Sequence, residues 1–345
     1  MATQPEILLP TTVVGSYATP GWMWTALEEI KQGKYGVTDM KEMYDDAVKI
    51  AIFDQEKAGV DIISDGEMRR FFFVQNYYKR FTGLEPIEPL RKTGLYGYDS
   101  PVRYRPVEKI KVPQGLGVVE EFKFLKEHTK KPIKVAVAGP LTLTIHIHLE
   151  KNDPYYKDRL ELADEFAGVV NAELKALAAE GADFIQIDEP SYAIIPGTTK
   201  QWVQLFNKSV EGVKAKIALH ICFGNLLSRP RGKRLYRWMF PELLEVNAQQ
   251  FVFEYANREM KEIELWKELG IDRELGAGLV DVKSFYVETP EDVAERIRET
   301  LKYVPAEKLY INPDCGFFPV PRWLAHLKLQ RMVQGTQIVR KELMG

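Results

Sequence analysis

The sequence predicts an α/β protein, a TIM (β/α)8 barrel carrying an insertion after its second strand. Three observations lead there. Apolar runs of strand length alternate with amphipathic, helix-like segments along the chain, the pattern of a parallel sheet flanked by helices. The alternation gives roughly eight β-α units, the count that closes a parallel barrel. The chain has 345 residues, a length that one barrel reaches once insertions are allowed, so residues 1–345 are read as one domain. An open doubly wound sheet is the alternative.

Taken in order, the expected strands are Thr12–Ser16, Val60–Ser64, Ile133–Ala138, Phe184–Asp188, Ile217–Cys222, Gln250–Glu254, Leu275–Asp281 and Lys308–Asn312. Each is a short apolar run, as buried strands are. The expected helices are Met40–Ala58, Val118–His128, Tyr156–Ala179, Thr199–Ala215, Pro241–Val246, Glu259–Leu269, Pro290–Tyr303 and Pro321–Leu343. One stretch, Phe71–Gly117, breaks this rhythm: it is rich in aromatics, Pro and Gly, notably Phe71–Tyr78 and Tyr96–Tyr104. A segment this long inside a compact domain carries elements of its own or a function. It is read as the insertion, with a hairpin over the barrel mouth. Its aromatics suit a barrel cover or a homodimer contact better than a flat substrate.

Composition excludes several classes. The formal net charge is -2, which leaves no basic footprint for nucleic acid. The Lys-rich stretch Lys123–Lys134 reads as a solvated helix end and strand entry. No apolar run approaches the roughly 20 residues of a membrane span, and Met1–Pro10 lacks a charged-then-apolar leader. The chain has two cysteines. A reducing cytoplasm is therefore expected, where such cysteines are metal-binding or catalytic rather than disulfide-bonded.

Both cysteines end apolar runs, Ile217–Cys222 and Leu309–Cys315, and between them Gln250–Glu254 ends in a carboxylate. On a strand, His220 and Cys222 at i and i+2 point the same way. Taken singly, a buried Cys is usually a small apolar side chain and a strand-end Glu is usually solvated. Taken together, two thiolates, an imidazole and a carboxylate make a donor set that suits Zn²⁺. In a barrel, chemistry sits at the carboxyl ends of the strands. There the chain places Gly15, Ser16, Asp65, Glu67, Asp188, Glu189, His220, Cys222, Glu254, Asp281, Lys283, Asp314 and Cys315.

The segments Pro10–Ser16, Asp65-Gly-Glu-Met-Arg69, Gln186-Ile-Asp-Glu-Pro190, His220-Ile-Cys222, Glu254 and Asn312-Pro-Asp-Cys-Gly316 resemble the catalytic barrel of cobalamin-independent methionine synthase. The order is the same along almost the whole chain, and the chain is most like the short single-domain members. The resemblance implies that His220, Cys222, Glu254 and Cys315 bind zinc, the four that the residues themselves suggest. It implies homocysteine as the methyl acceptor, its amino group held by Glu67 and Asp188 and its carboxylate by Gly15 and Ser16. A buried ammonium needs anionic partners, and a carboxylate needs N–H or O–H donors. A zinc-bound substrate thiolate, entering in place of Glu254, would be the nucleophile.

The chain departs from that family on the donor side. His146, in Gly139-Pro-Leu-Thr-Leu-Thr-Ile-His146, stands where the family has a pterin-stacking Trp. Lys283 replaces a His thought to assist proton transfer and is counted with Asp188 as catalytic. The amino-terminal half of the two-barrel enzymes, which helps hold the folate tail, has no counterpart. These departures lead to the expectation of methylcobalamin or a methylated corrinoid protein as methyl donor, with methyltetrahydrofolate as the second choice. A thiol alkyltransferase of the epoxyalkane:coenzyme M type would instead use Arg69, Arg70 or Arg103 against a sulfonate. A non-catalytic zinc or thiol-binding protein and the metal-free tetrapyrrole decarboxylase built on the same barrel complete the range of functions.

Overall fold

The apolar runs become buried strands in a computed structural model that describes residues 7–70, 73–88, 101–224, 234–318 and 320–345. The main sheet contains β3 Val135–Ala138, β4 Phe184–Asp188, β5 Lys216–Ile221, β6 Gln250–Glu254, β7 Glu274–Val280 and β8 Leu309–Pro313, hydrogen-bonded in that order. Registered pairs are parallel, with Asp188 opposite His220, Glu254 opposite Gly278, and Gly278 opposite Asn312. Every residue of β4 and β6 is buried, which is why these strands read as continuous apolar runs rather than alternating ones. Between the strands lie α4 Val118–His128, α5 Arg159–Ala179, α6 Thr199–Val210, α7 Leu265–Glu268 and α8 Pro290–Leu301, and α9 Arg322–Met344 ends the chain. No helix among the described residues is long and apolar enough to cross a membrane.

The chain divides into two compact units. One comprises Arg70–Lys123 and Ala136–Gln249, the other Thr3–Arg69, Phe124–Val135 and Gln250–Gly345. In the second unit the first two expected strands shrink to single parallel bridges, Thr11 to Ile311, Thr12 to Ile62 and Ile63 to Ile133. The cause is local: the Asp61 carboxylate accepts from Thr11 N at 2.8 Å and Thr11 Oγ1 at 2.7 Å, and Asp61 N donates to Thr11 Oγ1 at 3.0 Å. Side-chain bonds there replace ladder bonds. Two helices lie in the chain between the bridges of Thr12 and Ile62, α1 Gly21–Lys31 and α2 Val37–Ala58. The first is absent from the expected helices, although Met23, Ala26 and Leu27 form its buried face at helical spacing.

Other boundaries also differ. The helix expected over Thr199–Ala215 stops at Val210, because Glu211 turns extended and Gly212 takes φ +71°. The helix expected over Glu259–Leu269 survives only as α7, since Glu259, Met260 and Glu262 adopt φ of 49°, 61° and 71°. The segment Pro241–Val246 forms a short 3₁₀ turn, Glu242–Glu245.

In the first unit, β1 Thr82–Ile87 and β2 Arg103–Lys111 form an antiparallel pair, preceded by the short α3 Gln75–Tyr78. Tyr104 of β2 pairs with the segment after β3, its N–H donating to His146 O at 2.9 Å and its carbonyl accepting from His148 N at 2.7 Å. Tyr78 is buried and donates to Leu143 O at 2.9 Å. These aromatics anchor the Leu141–His148 connection, Tyr78 buried and Tyr104 half-buried. Of the aromatic tract, Phe71, Phe72 and Tyr96–Ser100 lie outside the described residues.

Candidate active site

The first unit supplies Asp188, His220 and Cys222. Asp188 ends β4 at 2% exposure. Its Oδ1 accepts from Gln186 Nε2 at 2.8 Å and pairs with His220 Nδ1 at 2.7 Å, while its buried Oδ2 has no hydrogen-bond partner among the described residues. An aspartate on Nδ1 fixes the ring and leaves Nε2 as the lone-pair nitrogen, the arrangement behind metal-ligating histidines. His220 and Cys222 stand two residues apart at the end of β5, both buried.

Next to Asp188, Glu189 is buried and accepts from Leu141 N and Thr142 N at 3.0 Å each and from Thr142 Oγ1 at 2.7 Å. Burial pushes its carboxyl up to about 8 against those hydrogen bonds. Glu189 therefore holds the turn after β3 in place. Gly139 is required there, since a Cβ would lie 2.2 Å from Glu189 Oε1.

The second unit supplies Gly15, Ser16, Glu67, Glu254, Lys283 and Cys315. Glu254 ends β6 at 0% exposure, and its Oε2 accepts from Lys283 Nζ at 2.9 Å. Burial works against the charge on Lys283, but Glu254 foremost, then Cys315 and Asp314, outweighs it and raises its pKa. Asp314 takes Tyr255 N and Ala256 N on Oδ1 at 2.8 and 2.9 Å, and Asn257 N and Nδ2 on Oδ2 at 2.8 Å each. One buried carboxylate thus clamps the backbone just past Glu254 to the strand end that bears Cys315. Gly278 makes room for it, because a Cβ there would lie 2.6 Å from Asp314 Oδ1.

On the same unit Gly15, with φ +59°, passes against Gly316, whose added Cβ would lie 2.8 Å from Ser16 N. Ser16 Oγ donates to Glu67 Oε2 at 2.7 Å, so the residues expected for the two ends of an amino acid are adjacent. Glu67 sits in a tight turn with φ 52°, its N–H donating to Asp65 Oδ1 at 3.0 Å.

Three of the four expected metal ligands come together: ligand atoms of His220, Cys222 and Cys315 all lie within 4.8 Å of one another. Glu254, the fourth, accepts from Lys283 Nζ at 2.9 Å. Neither cysteine is in a disulfide. Of the arginines expected to form a sulfonate pocket, Arg69 and Arg70 are otherwise engaged. Arg69 pairs with Asp45 and lies over the Phe124 ring, Arg70 grips Glu121 at 2.6 Å and Ala136 O at 2.7 Å, and Arg103 is exposed on β2. Sequence reasoning misses the structural carboxylates Asp314 and Glu189 as clamps, although both stand among the polar strand-end residues.

An α/β fold with thiols, an imidazole and carboxylates at successive strand ends puts these side chains where enzymes of this architecture carry their chemistry. The chain belongs to the cobalamin-independent synthase catalytic domain family, whose model matches residues 9–337. It is 39% identical over 338 residues to a methionine synthase of Saccharolobus solfataricus, covering 97% of this chain and 96% of the relative. A methionine synthase of Sulfurisphaera tokodaii is 36% identical, covering 97% and 94%. The structure of a B12-independent methionine synthase from Shewanella sp. W3-18-1 in complex with selenomethionine superposes with a TM-score of 0.83 at 30% identity, covering 98% and 99%.

This membership overturns the expected methyl donor. A family defined as cobalamin-independent does not draw its methyl group from methylcobalamin or a corrinoid protein. The departures at His146 and Lys283 mislead because each reads, in the sequence, as a lost folate contact. His146 lies in the connection that Tyr104 and Tyr78 hold, and Lys283 is the partner of Glu254.

Proposed function

We propose that this chain transfers a methyl group to the thiol of homocysteine, giving methionine, with methyltetrahydrofolate as the donor. The observation that carries the reading is the group formed by His220, Cys222 and Cys315 in a chain of this family. These three, with Glu254, would hold one Zn²⁺, and the donor set fits that ion. Zinc supplies, when bound, the Lewis acidity that keeps a substrate thiol in its nucleophilic thiolate form at neutral pH.

The chain's own residues do the rest. Asp188 fixes His220 through Nδ1, and its second oxygen is available to a substrate ammonium. Glu67 offers a second carboxylate beside Ser16, whose hydroxyl and neighbouring backbone suit the substrate carboxylate. Two carboxylates at the amino end favour an amino-acid thiol over a sulfonate, and the engaged Arg69 and Arg70 favour it further. We read the fold as one (β/α)8 barrel, supported by the parallel sheet in chain order and the parallel bridges of Thr11, Thr12, Ile62 and Ile63. The free thiols suit a reducing cytoplasm.

The test is methionine formation at matched zinc occupancy from methyltetrahydrofolate and homocysteine, beside metal analysis of the purified protein. About one Zn²⁺ per chain and turnover with the folate are expected, with Cys315→Ser losing most of the metal. A protein that carries no stoichiometric zinc under reducing, chelator-free conditions removes the basis of the mechanism. Zinc-loaded protein that makes no methionine from the folate refutes the donor.

A further inference from the structure

We propose that Lys283 is the ionic partner that receives Glu254 when, as the family resemblance implies, the substrate sulfur takes its place on the metal. The inference rests on the zinc reading above and adds to it a named positioning residue. Glu254 is fully buried, and a carboxylate released there without a counter-ion leaves an uncompensated buried charge, which is strongly unfavourable. Lys283 Nζ already stands 2.9 Å from Glu254 Oε2, with its side chain 8% exposed.

Charge accounting shows what Lys283 would offset. With Glu254 on the metal, two thiolates and one carboxylate against a dication would leave one negative charge, set against the Lys283 ammonium. With a third thiolate in its place the metal shell would keep that charge, the thiol proton would leave to solvent, and the released Glu254 would add a second negative charge, which the ammonium 2.9 Å away would offset.

Lys283 is held where this role needs it. Its N–H donates to Asp281 Oδ1 at 2.8 Å, and Asp281 N donates to Glu288 Oε1 at 2.8 Å. Glu288 Oε2 accepts from Lys328 Nζ at 2.8 Å, both side chains being almost completely buried. Arg296 Nη1 adds a bond to Leu279 O at 2.8 Å at the end of β7. A loop that served only to connect β7 to α8 would not need a buried lysine reaching in from α9.

The experiment uses full-length protein loaded with Co²⁺ as a spectroscopic stand-in for zinc, comparing wild type, Lys283→Met and Lys283→Arg. Two quantities are read: metal affinity by chelator competition, and the sulfur-to-cobalt absorbance gained on titration with homocysteine. With its ionic partner removed, Glu254 should stay on the metal. Lys283→Met is therefore expected to bind metal as tightly as wild type or tighter, yet to need about 10- to 100-fold more homocysteine for the absorbance change, the range that partners behind a ligand command. Lys283→Arg should recover most of the response. A merely structural lysine predicts the opposite for the metal, a loss of affinity in Lys283→Met, and that result overturns the proposal. So does a homocysteine titration unchanged from wild type. A wild-type protein that binds no Co²⁺ or shows no absorbance gain with homocysteine overturns the zinc reading itself, which the two variants alone cannot do.

Discussion

Replacing Asp188 by Asn tests the proposed site most directly, because on that reading one buried carboxylate stands behind a metal ligand and in front of the substrate. Oδ1 receives two donors, His220 Nδ1 at 2.7 Å and Gln186 Nε2 at 2.8 Å. An Asn must therefore turn its carbonyl toward them, keeping both bonds but losing their charge assistance. Charged hydrogen bonds contribute about 1.5–3 kcal/mol and neutral ones about 0.5–1.5 kcal/mol, so the bond to His220 weakens by about 1–1.5 kcal/mol. Zinc affinity should fall about 5- to 13-fold. The same rotamer puts the amide NH₂ where Oδ2 stood and points a donor at the substrate ammonium. Homocysteine should bind more weakly by about 1.5–3 kcal/mol, roughly 10- to 150-fold.

The identity of Asp188 as an ammonium partner alone would leave zinc untouched, and the contact with His220 is what changes that expectation. Zinc affinity is measured against a chromophoric chelator, and homocysteine affinity by calorimetry on zinc-loaded protein, with 3-mercaptopropionate as the thiol lacking an amino group. Wild type should prefer homocysteine, and Asp188→Asn should lose most of that preference. Zinc affinity within twofold of wild type refutes the orienting role. Equal affinity of wild type for the two thiols refutes the ammonium role.

Gly316→Ala puts a methyl within 2.8–2.9 Å of Ser16 N and O, backbone atoms that cannot swing aside. Overpacking of this kind costs about 1–3 kcal/mol, so denaturant unfolding should shift by that amount and homocysteine affinity should fall; unchanged stability refutes the close approach. Lys328→Met leaves Glu288 a buried carboxylate without its lysine. A loss of about 3–5 kcal/mol is expected by denaturant titration, and a loss under 1 kcal/mol refutes it. Glu189 is raised in the folded state from 4.5 to about 8, so the folded protein holds this proton more tightly. Its contribution to stability is complete below the unfolded value and lost as pH rises through about 8. Glu189→Gln should flatten the alkaline decline in unfolding free energy, and an identical profile refutes the assignment.

The parts legible in the sequence are those where local pattern and tertiary environment agree. Gln250–Glu254 and Phe184–Asp188 are strands over the expected residues because both faces are buried and the apolar run is the whole strand. Val118–His128 is a helix over the expected residues, with Glu120 and Glu121 in its first turn and Lys126 and His128 in its last, charges that oppose the helix dipole. Pro290 opens α8 behind a reciprocal Thr289–Asp292 cap, a signal that can be read directly.

Elsewhere a tertiary contact overrides the local signal. Glu259–Leu269 has strong helix formers, yet the backbone after β6 is clamped by Asp314, and Arg258 turns back to bond Glu254 O at 3.4 Å and pair with Glu262. The helix cannot begin until that turn is complete. Thr12–Ser16 reads as a strand by its β-branched residues, but Thr11 spends its hydrogen-bonding groups on Asp61 and Gly15 turns out of the extended region. Of the site, the residue types and their strand-end placement are readable. The pairings are not, because Asp188 with His220 and Glu254 with Lys283 join residues about 30 apart whose contact depends on strand register.

Those pairings also bear on why the residues are charged at all. A buried ion pair seldom stabilises a fold more than well-packed apolar side chains of the same volume, so stability alone gives little reason for Glu254 and Lys283. The proposed exchange at the metal gives one, since a carboxylate released there would need a counter-ion to leave toward. Lys328 and Glu288 pair with one another at 2.8 Å. Their pair is accounted for by Asp281 N, which Glu288 binds, and through it by the fixed position of Lys283. The cost of burying charge under β7 is thus tied to one outcome, the placement of a single ammonium 2.9 Å from Glu254.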